Sequence, residues 1–145
     1  MAKVYASSVI DAPPEQVWQY IRDFNSLHTW FPGVTDTKIE GSIPGDKAGC
    51  VRNFGLPGGG RMREQLLEFS DQNHSCVYKM LEGAVPMSRY QAGVRLLPVT
   101  DAGSTFAELS AEFECAPGME NDVAGFLGST YKAAFDGLKQ HFKRA

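Results

Sequence analysis

The spacing of apolar and polar residues divides the chain into three regimes. A short run at residues 3–10 carries the Val, Ile and Tyr bias of a strand and meets Asp11-Ala12-Pro13-Pro14-Glu15, which reads as the start of a helix. Asp11 or a neighbour can cap the free N–H groups, prolines are tolerated in a first turn, and Glu15 suits the positive end of the helix dipole. Behind this start Val17, Trp18 and Ile21 form an apolar stripe, while Gln16, Gln19 and Arg22 fall on the other side. Asp23-Phe24-Asn25-Ser26 breaks the pattern. The next stretch, Leu27-His28-Thr29-Trp30-Phe31-Pro32-Gly33, reads as a second short helical turn stopped by Pro and Gly.

From about residue 35 the period becomes two. Segments at 35–40, 49–54, 61–69, 75–81, 88–97 and 104–113 are separated by clusters of Gly, Pro, Asn and Asp, so with the first run they predict seven strands in a meander. After Ala116-Pro117-Gly118 the period is helical: Val123, Phe126, Leu127, Tyr131, Ala134, Leu138 and Phe142 recur at helical spacing up to the C-terminus. A stripe this wide needs a concave sheet to cover it. The order β-αα-β6-α predicts an α+β fold over residues 1–145, with a long C-terminal helix closing a curved antiparallel sheet.

Alternation also predicts which side chains face that helix, because residues i and i+2 share a face of a strand. On the last strand the inward set is Thr105, Ala107, Leu109, Ala111 and Phe113; on its neighbour it is Ser88, Tyr90, Ala92, Val94 and Leu96, since Arg89, Gln91 and Arg95 need water. Both sets are mostly small, which predicts unfilled volume beneath the helix. On the 61–69 strand, Arg61, Arg63 and Gln65 face out, with Leu67 and Phe69 on their side, which turns Met62, Glu64, Leu66 and Glu68 inward.

The inward Glu64 is the most informative residue, because a buried carboxylate either takes up a proton or finds a cation. Arg52, in phase with Cys50 and Phe54, is the natural cation, and its fork can hold a carboxylate while offering spare donors to a ligand oxygen. Tyr78, in phase with Cys76 and Met80, and Tyr90 can add hydroxyls. The alternative is that Arg52 and Glu64 form an exposed cross-strand pair worth at most about 1 kcal/mol, and that the tyrosines are ordinary core aromatics. Trp18, Trp30 and Phe31 read as packing at the helix–sheet junction, with Trp30 or Phe31 as a second candidate guard of the cavity mouth.

Composition narrows the function. The hydrophobic fraction of 43% and charged fraction of 21% are those of a globular chain. A formal net charge of −3, with Lys and Arg scattered among acids, is a poor match to nucleic acid, which needs a concentrated basic footprint. No apolar run approaches the roughly 18 residues of a membrane span, and Met1-Ala2-Lys3-Val4-Tyr5 lacks a signal-peptide core, so stable membrane insertion is not expected and a cytoplasmic location is. Cys50, Cys76 and Cys115 have no C-x-x-C spacing, and His28, His74 and His141 have no metal-binding spacing. Reduced, buried thiols are expected, with no metal and no cofactor. The Leu56-Pro57-Gly58-Gly59-Gly60 stretch joins two strands instead of opening a helix and reads as a hairpin loop, not a phosphate cradle.

The opening Ser7-Ser8-Val9-Ile10-Asp11-Ala12-Pro13-Pro14-Glu15-Gln16-Val17-Trp18, then Asp23-Phe24, Trp30-Phe31-Pro32 and the terminal apolar helix, resemble the START-like polyketide cyclase/dehydrase and lipid-transport superfamily. That resemblance covers essentially the whole chain and implies a helix-grip fold around a small-molecule cavity. A narrower similarity, in Val51-Arg52-Asn53, Arg63-Glu64-Gln65-Leu66-Leu67-Glu68 and Met87-Ser88-Arg89-Tyr90, is to the lachrymatory-factor-synthase branch, where an Arg and a Glu face the cavity. It implies catalytic roles for Arg52 and Glu64. The loop 82–87 resembles the gate loops of the hormone-receptor relatives.

Three functions are carried forward. The first is a binder of a small hydrophobic or aromatic molecule, its walls built from Met62, Leu66, Tyr78, Met80, Tyr90, Leu109, Phe113, Phe126 and Tyr131 and its oxygenated end held by the polar cluster. The second is an enzyme of cyclase, dehydratase or isomerase type with Glu64 as general acid or base. The third is an interaction module, such as a lipid or quinone chaperone or a homodimer, marked by an apolar rim of Leu81, Val85, Pro86 and Met87.

Overall fold

The computed structural model describes residues 1–143. Strand β1 (Ala2–Ile10) leads into helix α1 (Pro14–Ile21), a single 3-10 turn (Phe24–Ser26) and the short helix α2 (Leu27–Trp30). Six strands follow: β2 (Thr37–Glu40), β3 (Val51–Gly55), β4 (Arg61–Ser70), β5 (Ser75–Gly83), β6 (Arg89–Val99) and β7 (Ser104–Glu114). Helix α3 (Glu120–His141) ends the described chain. The expectation that this helix runs to the C-terminus is corrected, since it stops at His141; residues 144–145 lie outside the described residues.

One antiparallel sheet holds all seven strands in the order β1-β7-β6-β5-β4-β3-β2, so the meander from β2 to β7 is completed by β1 pairing with the last strand. Side-chain alternation places Ala107, Leu109, Ala111 and Phe113 of β7 and Tyr90, Ala92, Val94 and Leu96 of β6 in the core, where α3 contributes Val123, Leu127, Tyr131, Ala134, Phe135 and Leu138. Acids in the first turn of α3 and Lys139 and His141 in its last complement the helix dipole.

The N-cap position of α1 is Pro13, which makes no side-chain capping hydrogen bond. Two local expectations are corrected. Ser88 precedes β6 and is exposed, its N–H bonding to Glu114 O at 2.9 Å. On β4 the register shifts between Leu66 and Glu68, a bulge that puts an extra residue into the strand and inverts its phase. Glu68 is therefore exposed, and Phe69 instead packs against Trp18, with ring centroids 5.5 Å apart.

Helix α1 is fixed to the β4–β5 turn by Asp71, which accepts hydrogen bonds from Trp18 Nε1 at 2.7 Å and from Arg22 Nε and Nη2 at 2.9 and 2.8 Å. The Arg22 guanidinium and the Trp18 N–H hold the Asp71 carboxyl down to about 2. The β1–α1 turn is tied to β7 where buried Thr105 donates to Ala12 O at 2.7 Å. Among the described residues, no helix is long and apolar enough to cross a membrane.

Candidate functional site

A cavity of about 650 Å³ lies between the sheet and the N-terminal half of α3. Its floor comes from β3, β4, β5 and β6 through Arg52, Phe54, Met62, Glu64, Tyr78 and Tyr90; α3 supplies Val123, Leu127, Thr130 and Tyr131. Around its mouth stand Pro32, Pro57, Ala84, Pro86, Met119 and Phe126, all exposed.

Arg52 and Glu64 are direct cross-strand partners on β3 and β4, and both point to the buried side. They are 5% and 3% exposed, which rules out the solvent-facing pair that the sequence left open. Arg52 donates from Nε at 2.9 Å and from Nη2 at 2.6 Å, both to Glu64 Oε1. The guanidinium lies against aromatic faces, its carbon 3.8 Å from the Phe24 centroid and 4.6 Å from that of Tyr78. Delocalised charge on a planar group suits such stacking.

This geometry leaves Glu64 Oε2 without a hydrogen bond from any described residue. The one fully sealed, unpaired polar side-chain atom among those residues is Asn25 Oδ1, so Oε2 meets open cavity space. Burial raises the Glu64 carboxyl above its ordinary range, opposed by the Arg52 charge and its hydrogen bonds. Burial likewise lifts the Tyr78 and Tyr90 hydroxyls well above the ordinary phenol value, so both remain protonated donors. The Tyr90 and Tyr131 hydroxyls share a short hydrogen bond across the sheet–helix gap, and Tyr131 also meets Phe31 edge-on at 6.4 Å.

The polyketide cyclase/dehydrase and lipid-transport family matches residues 1–143. The chain belongs to that family. Among solved structures, it is similar to the protein XoxI of Bacillus cereus at 27% identity and a TM-score of 0.87, covering 98% of this chain and 96% of that one. A protein of Nitrosospira multiformis matches at 29% identity and a TM-score of 0.85, with 97% and 96% covered. A START superfamily protein of Mycobacterium smegmatis, 14% identical with a TM-score of 0.82 over 99% of this chain and 98% of its own, shares the fold. No curated protein matches. The similarity is to the cyclase/dehydrase family as a whole and does not single out the lachrymatory-factor-synthase branch.

Within this family member, Arg52, Glu64, Met62, Tyr78, Tyr90, Phe126 and Tyr131 all border the cavity, Phe126 only at its rim. Leu66, Leu109, Phe113 and Met80 do not, which corrects the expected wall. The first three are buried in the core, and half-buried Met80 packs against it. Inward phase alone could not separate wall from core, because the volume beneath α3 is filled along most of the sheet and open only at one end. Val85 and Met87 of the 82–87 loop line the cavity with Ala84 and Pro86. Phe24, beneath the guanidinium, is the functional side chain that strand alternation could not reach; its only sequence signal was the Asp23-Phe24 pair carried by the family resemblance.

Proposed function

We propose that the protein encloses a small hydrophobic or aromatic molecule, with one polar end of that molecule directed at Arg52, Glu64 and Tyr78. The observation that carries this reading is the 650 Å³ cavity, whose largely apolar walls converge on a buried ion pair with one unpaired carboxylate oxygen. Ligand sites commonly combine an apolar container with a few fixed polar groups. Membership of a family described by cyclase, dehydrase and lipid-transport functions supports the same reading. Titration with the neutral apolar dye Nile red is expected to give saturable binding, with native mass spectrometry showing one equivalent displaced by a tighter apolar competitor. A protein that takes up neither dye nor competitor would contradict it.

A second reading is favoured by one feature. Glu64 combines a raised protonation range with an oxygen facing the cavity, as a general acid or base requires. Tyr78 and the Tyr90–Tyr131 pair are placed to stabilise charge on a substrate oxygen. If the protein turns over a bound compound, Glu64→Gln should abolish turnover while lowering affinity far less; equal loss of both would restrict the site to binding.

A further inference from the structure

The charges around the cavity favour one kind of polar end over another. Among the described residues lining it, Arg52 is the single cation, and Glu64 and Asp122 are acids. Arg52 is also charge-balanced: two of its five N–H groups lie on Glu64 Oε1, and its face is covered by Phe24 and Tyr78. What the pair offers the cavity is therefore an acceptor, Glu64 Oε2, beside the remaining Arg52 N–H groups, and no net charge. The hydroxyl of Tyr78 has no hydrogen bond to a described residue, and of the two linked hydroxyls of Tyr90 and Tyr131 only one hydrogen is used between them. Those are donors.

A ligand carboxylate pushed toward this end would become the second carboxylate on a single guanidinium, leaving a buried cluster of net negative charge as it loses its hydration. An ammonium would lose its hydration as well and stand beside the Arg52 guanidinium. A neutral hydroxyl or N–H meets neither obstacle and gains a charge-assisted hydrogen bond to Oε2, while a neighbouring carbonyl can accept from a tyrosine.

Resting on the ligand-binding reading above, we infer that the cavity selects neutral ligands that carry a hydrogen-bond donor, of the phenol, alcohol or amide class, and discriminates against carboxylates such as free fatty acids. The Arg52–Glu64 pair is the selecting element, since it converts the one buried cation into an acceptor-presenting, charge-balanced group.

Three probes of one ring system test this at neutral pH by calorimetry or tyrosine and tryptophan fluorescence: naphthol, its methyl ether and naphthoate. Naphthol is expected to bind about ten-fold tighter than the ether, the worth of one hydrogen bond to a charged acceptor, and naphthoate at least as weakly as the ether. Glu64→Gln leaves the Arg52 charge uncompensated and should narrow or reverse the naphthol-over-naphthoate order. If that variant does not fold, the wild-type ranking decides alone. Naphthoate binding as tightly as naphthol would overturn the inference and leave the cavity standing. Failure of all three probes, including the uncharged ether, would remove the ligand-binding reading and the inference with it.

Discussion

The two halves of α3 lie over the same sheet and meet opposite fates. In the C-terminal half Ala134, Phe135 and Leu138 are sealed, and α2 comes so close that a Cβ on Gly137 would stand 3.0 Å from Trp30 O. Tyr20 of α1 stacks on His141 with ring centroids 3.9 Å apart. In the N-terminal half Val123 and Leu127 are shielded yet border open volume, and Phe126 is 61% exposed although it sits on the same helical stripe. The difference does not come from the helix. It comes from what arrives on the other side: α1 and α2 fill one end, whereas a short apolar loop, Ala84 to Met87, stands at the other. There the sheet contributes a guanidinium and a carboxylate instead of an apolar plug.

The largest effect should come from breaking the ion pair. Arg52→Met strands a buried carboxylate, and chemical denaturation is expected to show a loss of about 3–5 kcal/mol. The same experiment at stepped pH separates interior from exterior acids. The folded state holds Glu64 above its ordinary range, so its stabilising contribution is complete below that range and is lost as pH rises through the folded value. Asp71 has the opposite sign: its contribution is complete above the ordinary carboxylate range and is lost as pH falls toward about 2. Asp71→Asn should remove the Asp71 share of the acid-side loss and leave that of Asp36, Glu40, Glu108 and Asp136, whose carboxyls are also held down by cationic or hydrogen-bonding partners.

Truncating one aromatic in each half sharpens the contrast. Phe135→Ala, in the packed half, is expected to cost about 3–5 kcal/mol. Phe126→Ala should stay within about 0.5 kcal/mol, as at ordinary surface positions, while weakening Nile red binding at the mouth. The smallest difference concerns two glycines of α3. Gly125 has nothing within 4 Å of an added Cβ, so Gly125→Ala should gain about 1 kcal/mol from helix propensity. Gly137→Ala should fall short of that gain, because the new methyl meets the Trp30 carbonyl.

The same contrast explains how far the sequence could be read. Strands and the long helix were legible because the period changes at recognisable Gly, Pro and Asn clusters. The inward phase of Glu64 was legible because Arg61, Arg63 and Gln65 compete for the solvent side of β4. The bulge between Leu66 and Glu68 was not, since a single inserted residue leaves no mark in alternation until Glu68 and Phe69 are seen to exchange faces. Nor was the division of the interior into core and cavity. Leu109 and Tyr90 have equivalent phase on neighbouring strands, and only the position of α1 and α2 along α3 determines which of them meets open space. Phe24 belongs to the same class: its role depends on a turn folding over β3, a contact between residues far apart in pattern.

Leu127→Trp tests most directly whether the N-terminal half of α3 spans empty, ligand-accessible volume. In a packed interior the added bulk would cost about 1–3 kcal/mol; over an open cavity it should be accommodated with stability unchanged or raised, and Nile red binding should disappear. A variant that loses stability as a packed core would, or that still binds the dye with wild-type affinity, would contradict the account.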